Sequence, residues 1–212
     1  MITTEAIIAR YKRDYRVDPQ GCSLWIVVAG ERIRLRPIQS ADADIAERDV
    51  ELITAWRNQH RGSFLTDFEA TPARTRSWLT DVAGPDLSRI LFMLEPERGT
   101  PFGHVGLCAI DPARRYGELD NIVRGDGGPK GAMRLATDAL LHWSRETLLL
   151  RHLAVRVMAD NPALAFYLGI GFRAVRDVPL QLRTEDRGVQ RWTEVADGGP
   201  SGRALRYLEL AA

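Results

Sequence analysis

The sequence predicts an α+β fold in which an antiparallel meander precedes a crossover unit. Three observations carry this. Residues 90–123 read as three successive strands with turn residues between them and no helical period. From 131 to 172 a helical pattern, a strand pattern and a second helical pattern follow in turn. Beyond Phe172 the chain returns to short strand patterns.

Taken in order, residues 3–16 form a short helix. SLWIVVAGERIRLRPI (23–38) gives two strands about Ala29–Gly30. An apolar run comes first, then alternation of Ile33 and Leu35 with Arg32, Arg34 and Arg36; Pro37 ends the second strand. DVELITAWRN (49–58) is helical, with Leu52, Ile53 and Trp56 on one face. Residues 72–82 form another helix, capped by Thr71. ILFMLEP (90–96) and PFGHVGLCAID (101–111) make a hairpin through ERGT, and YGELDNIV (116–123) is the third strand. A helix over 131–148 presents a stripe of Ala132, Leu135, Ala136, Ala139, Leu140 and Trp143. HLAVRVMAD (152–160) is a strand. The next helix starts after Asn161, with Pro162 in its first turn, and Gly169 and Gly171 close it. The tail offers strands at 172–182, 190–195 and 204–210, the last two separated by a glycine-rich turn, ADGGPSG.

Composition narrows the class. With 212 residues, 45% hydrophobic and 27% charged, the chain suits one globular domain of ordinary size, a single domain over 31–212 behind an extension at 1–30. A net charge of +1 supplies no field that draws nucleic acid or a membrane surface. No apolar run approaches the ~20 residues of a membrane span, and the polar N-terminus does not read as a signal peptide. The two cysteines, Cys22 and Cys108, have no metal-ligand spacing and are expected to be reduced packing residues of a cytoplasmic protein; no metal is expected. Lys12 and Lys130 are the only lysines, the arginine bias of a GC-rich bacterial genome.

The stretch GGPKGAMRLATDALLHW (127–143) sets glycines directly against a helix start. Helix N-termini carry unpaired N–H groups and the positive end of the dipole, and glycine lets a ligand approach the backbone. The result suits phosphate, with Lys130 as an added cation. A glycine turn capping an amphipathic helix is the plainer reading of the same residues.

The second half of the pattern separates these readings. PKGAM (129–133) resembles the R/Q-x-x-G-x-G/A phosphate loop of the GCN5-related N-acetyltransferase (GNAT) superfamily. Residues 161–172 resemble its helix stretch that opens on Asn, carries a Tyr and ends on Gly-Phe, through Asn161, Tyr167, Gly171 and Phe172. The resemblance runs from about Arg32 to Arg176. Within it ELITAWRN (51–58) looks like the first helix of members that acylate amino-sugars and of ribosomal-protein N-terminal acetyltransferases. Two departures stand out: Pro129 replaces a glycine and has no N–H to donate, and Met133 stands where Gly or Ala is usual.

The resemblance implies the GNAT fold: a mixed, mostly antiparallel twisted sheet of about seven strands, flanked by about four helices, with a V-shaped split between the fourth and fifth strands. It implies acetyl-CoA as cofactor. Gly128, Lys130, Gly131, Ala132 and Met133 would face its pyrophosphate, backbone groups of Ile122, Val123 and Arg124 its pantetheine, and Asn161 would bond the pantetheine or merely cap a helix. Tyr167 is the candidate general acid for the departing sulfur, or else a core aromatic like Phe166. Glu118 and Asp120 lie two apart on one strand and so share a face; they are candidate bases for the incoming amine, or solvated strand acids. His104 is a third candidate, more commonly a structural residue in such a setting, and bulk water can also take the proton. Trp56, Arg57, Asn58 and Tyr116 are the candidate acceptor contacts. Arg57 suits a phosphate or carboxylate, and Trp56 equally suits a core.

The function expected is therefore acetyl-CoA-dependent N-acylation of a small primary amine, an amino-sugar or nucleotide-sugar, by direct attack in a ternary complex. Acetylation of a protein N-terminus or ribosomal protein, and non-catalytic acyl-CoA binding, are the alternatives. The long tail beyond Phe172 is expected to elaborate the acceptor side or to form a homodimer contact. A P-loop nucleotide site is disfavoured by the absence of a strand–GxxxxGK[ST]–helix unit.

Overall fold

A computed structural model describes residues 2–39, 41–185, 188–196 and 202–211. Five α-helices and ten strands occur among them, against about four and about seven expected. They fall into two compact units, one of residues 1–56 and 71–153, the other of residues 57–70 and 154–212.

The first unit opens with α1 (Thr4–Asp14), whose first turn is closed by the Thr3 hydroxyl accepting from the Ala6 N–H at 3.2 Å. Strands β1 (Leu24–Val28) and β2 (Glu31–Pro37) pair antiparallel through Ala29 and Gly30, both at positive φ (51° and 83°). That pair of dihedrals matches a hairpin turn to the strand twist. Helix α2 spans Glu47–Gln59, two residues longer at its start than the apolar pattern required. Arg36 on β2 grips Asp49 of α2 with two hydrogen bonds, 2.9 and 2.8 Å, and donates to Glu95 at 3.0 Å. Burial pushes the Glu95 carboxyl up, but Arg36 and Arg34 outweigh it and hold the group below its ordinary range.

After a two-residue strand, β3 (Thr66–Asp67), the helix expected over 72–82 is divided. Helix α3 (Pro72–Ser77) begins on the Thr71 cap and runs into a π-type turn over Trp78–Ala83. Strands β4 (Ile90–Pro96), β5 (Gly103–Asp111) and β6 (Tyr116–Arg124) complete the meander, and the strand order in this unit is β1-β2-β4-β5-β6. The apolar run of β4 is explained by burial of both its faces over Ile90–Leu94.

Helix α4 (Ala132–Glu146) buries Ala132, Ala136, Leu140 and Trp143 as its stripe predicts. Leu135, assigned to that stripe, is 40% exposed. The buried face turns the other way and takes in Thr137 and Ser144, whose hydroxyls donate to the carbonyls of Met133 and Leu140 one turn earlier, at 2.8 and 2.6 Å. A hydroxyl that bonds back to its own helix can be buried, which an apolar count overlooks. Tyr11 of α1 packs on Phe92 and Trp143 and accepts from the Trp143 indole at 3.2 Å, so α1 belongs to this core.

The second unit contains β7 (His152–Met158, from Ala154 on), α5 (Leu164–Ile170), β8 (Phe172–Thr184), β9 (Gln190–Glu194) and β10 (Ala204–Leu210), together with β3. Its strand order is β7-β10-β8-β9-β3, and Met158, Leu180 and Leu205 form its core beneath Leu65, Trp192 and Tyr207. The glycine-rich turn expected at 196–202 lies mostly outside the described residues.

Candidate active site

The loop between β6 and α4 is built from both sides. Inward, two glycines fit against aromatic rings. A Cβ on Gly125 would lie 2.1 Å from the Trp56 indole, and one on Gly128 would lie 2.3 Å from the Phe102 ring. Outward, Gly131 at φ 89° stands before α4 with no protein atom within 4 Å of the place a Cβ would take. No side chain caps this helix, and its first turn holds no acid. Lys130 and Arg124 are exposed nearby in the chain, with Asp126 between them. Of the first amide groups, that of Ala132 is spent on the Pro129 carbonyl at 3.2 Å. Pro129 thus offers a carbonyl to its own loop where the family pattern has a donor. An open, uncapped helix start with adjacent cations fits a pyrophosphate, which is the fit coenzyme A requires.

Strand β6 is irregular where the pantetheine is expected. Against β5 the register jumps from His104↔Val123 to Gly106↔Asp120, so β6 carries one extra residue. Asn121 takes the strain, with φ 51°. The Asn121 carbonyl accepts from His104 Nδ1 at 2.6 Å, and its amide donates to Asp120 at 2.7 Å. Glu118 and Asp120 precede this bulge and share a face, as alternation predicts. Glu118 is buried and accepts from the Tyr116 hydroxyl at 2.8 Å; Asp120 is half-buried and accepts from Arg89 at 2.7 Å.

Two of the candidate acceptor contacts, Trp56 and Asn58, have structural roles. Trp56 is 2% exposed, wedged between Gly125 and the His104 ring at 5.8 Å, so it is core. Asn58 spends its amide on Ala70, donating to the carbonyl at 3.0 Å and accepting from the N–H at 2.8 Å. Arg57 lies over the rings of Phe64 (3.9 Å) and Phe68 (4.7 Å) and donates to the Thr66 carbonyl.

In the second unit Asn161 accepts from the Ala163 N–H at 2.9 Å and donates to the Ser63 carbonyl at 3.3 Å. The asparagine turn delays α5 to Leu164, two residues past Pro162. Tyr167 is buried, with Phe166 and Phe172 edge-on at 5.5 and 6.3 Å. Gly171 ends α5 at φ 114°. Asn121, Gly125, Phe102 and Arg89 were not singled out from the sequence. Asn121 alone carried a signal, since asparagine is the non-glycine residue that best tolerates positive φ. Both cysteines are buried, and no group of three metal-ligating side chains occurs among the described residues.

Comparison with known proteins agrees with this geometry. The family description "Acetyltransferase (GNAT) domain" matches residues 32–173. No curated protein matches the sequence. Similar solved structures include a probable GNAT-family acetyltransferase from Chromobacterium violaceum, at TM-score 0.63 and 15% identity, covering 84% of this chain and 82% of that one. A GCN5-related N-acetyltransferase from Brucella melitensis matches at TM-score 0.61 and 19% identity, over 84% and 75% of the two chains. A spermidine N-acetyltransferase variant from Vibrio cholerae matches at 0.57 and 16%, over 78% and 91%. The chain belongs to the GNAT acetyltransferases and is an N-acetyltransferase. Enzymes of this family use acetyl-CoA.

Proposed function

We propose that this enzyme acetylates the primary amine of an amino-sugar or nucleotide-sugar in the cytoplasm, using acetyl-CoA in a ternary complex. The observation that carries the cofactor assignment is the open space at Gly131, before a helix start that no side chain caps. Gly128, Lys130, Gly131, Ala132 and Met133 hold the pyrophosphate. Backbone groups of Ile122, Val123 and Arg124, with Asn161 as a further candidate, hold the pantetheine. Acetyl-CoA supplies an activated acetyl thioester.

The chain's own residues supply proton handling and orientation. An amine attacks only when neutral, and Glu118 or Asp120 would accept its proton directly or through water. Asp120 already faces the Arg89 guanidinium, so a bound ammonium would compete with Arg89 for it. Glu118 accepts from the Tyr116 hydroxyl and stands beside Asp120 as a candidate base. Tyr167 holds a proton on its phenol for the departing sulfur. Arg57, pinned by two phenylalanines, is a cation that suits the phosphate of a nucleotide-linked sugar. Tyr116 is a separate candidate for stacking on a sugar or base.

The test is a panel of amines incubated with acetyl-CoA: free amino-sugars, nucleotide-linked amino-sugars, polyamines and N-terminal peptides, each product read by mass. Highest kcat/KM on the sugar amines supports the substrate class. Preference for peptides or polyamines overturns it while leaving the acetyltransferase assignment intact.

A further inference from the structure

His104 was considered above as a base, but its surroundings point elsewhere. The side chain is 3% exposed. Its Nδ1 lies 2.6 Å from the Asn121 carbonyl oxygen. A carbonyl only accepts, so Nδ1 carries the proton and is committed to that bond. The residue it holds is the strained one: Asn121 at φ 51°, the extra residue of the β6 bulge. The other face of the bulge is held by side chains, since the Asn121 amide donates to Asp120 and Asp120 accepts from Arg89, each at 2.7 Å. Behind His104 the Trp56 ring lies tilted at 5.8 Å, and that same ring limits Gly125 at the start of the phosphate loop.

We propose that His104 is a positioning residue, whose Nδ1–H fixes the Asn121 carbonyl and so aims the backbone groups of Ile122 and Val123 at the pantetheine arm of acetyl-CoA. This rests on the acetyl-CoA assignment above. The bond acts on one part of the ligand only. The pyrophosphate is held by the loop, which hangs from Trp56 and Phe102 and not from the Asn121 carbonyl. Losing the His104 donor therefore weakens pantetheine binding and spares the nucleotide end.

Two ligands and two variants test this by calorimetry. Acetyl-CoA carries both parts; adenosine 3′-phosphate 5′-diphosphate carries the phosphates without pantetheine. His104→Phe keeps a ring against Trp56 and removes the donor to the Asn121 carbonyl. His104→Asn keeps a donor near the position of Nδ1. The expected result is acetyl-CoA binding weakened about tenfold in His104→Phe, as for loss of one buried hydrogen bond, with nucleotide binding within about twofold. His104→Asn restores most of the acetyl-CoA affinity and retains turnover with an unchanged pH profile of kcat. Equal weakening of both ligands, or unchanged acetyl-CoA affinity in His104→Phe, overturns the proposal. So does loss of turnover in His104→Asn, which would make His104 the base. If His104→Phe does not fold, the affinity and pH profile of His104→Asn decide alone. Wild-type protein that binds neither ligand rejects the cofactor assignment itself, a result distinct from all of these.

Discussion

Replacing Gly131 separates charge from shape at the loop proposed to hold the pyrophosphate. The position has φ 89° and open space where a Cβ would go. Alanine there clashes with nothing but must adopt a left-handed backbone, at about 1–2 kcal/mol. Aspartate bears the same backbone cost and adds a negative charge at the start of a 15-residue helix whose first turn has no acid. Toward the folded protein that charge is favourable, by ~0.3–1 kcal/mol against the helix dipole. Toward a pyrophosphate it is repulsive. At ~5 Å and an effective dielectric between ~20 and ~80, each pair of charges repels by about 1–3 kcal/mol, or roughly 5- to 150-fold in affinity. The two effects have opposite signs. Gly131→Asp should melt at or above Gly131→Ala, yet bind acetyl-CoA more weakly by that factor in calorimetry at low salt. Raising the salt should narrow the gap. Equal affinities for the two variants would refute the placement of the pyrophosphate at this helix start.

Three further outcomes are expected. Tyr167→Phe keeps the ring packed against Phe166 and Phe172, so melting should change little while kcat falls about 100-fold with KM for acetyl-CoA nearly constant; a full kcat would leave Tyr167 a core residue. Gly125→Ala should cost about 1–3 kcal/mol in denaturant unfolding, because its Cβ would sit 2.1 Å from Trp56, and less in a Trp56→Leu background; identical costs in both backgrounds would break the assignment. Burial lowers the Lys12 ammonium from 10.5 to about 8, while it donates to the carbonyls of Ala83, Gly84 and Asp86. Between those values the unfolded chain binds more protons than the folded one, so stability should rise with pH from about 8 to 10.5 relative to Lys12→Met, by roughly 3 kcal/mol at most. A flat difference across that window would contradict the lowered value.

What could be read from the sequence divides along physical lines. Strand periods and turn residues were legible because they are local. Ala29–Gly30, the Thr71 cap and the Gly171 helix stop each act within a few residues. The glycine-rich loop before α4 and the Asn161–Phe172 stretch carried the family resemblance, which the match over residues 32–173 supports. What failed depends on tertiary partners. Leu135 was placed in the core by period, but two serine and threonine hydroxyls satisfied within α4 turned the buried face away from it. Nothing local marks Trp56 as the wall against which Gly125 fits, 69 residues along the chain, nor Asn58 as the clamp on Ala70, twelve residues along it; both pairs meet only once the chain has folded back. The shared face of Glu118 and Asp120 followed from alternation, but the bulge one residue later, with its carbonyl bonded by His104 across the ladder, did not.

The most direct test of the central claim is single-turnover release of coenzyme A thiol from stoichiometric acetyl-CoA, with and without an amino-sugar. The account predicts thiol release that requires the amine, rises with pH as the amine loses its proton, and is matched by acetylated acceptor. Acetyl-CoA that binds and stays intact with every amine in the panel would contradict catalysis by this chain and leave it a binding module.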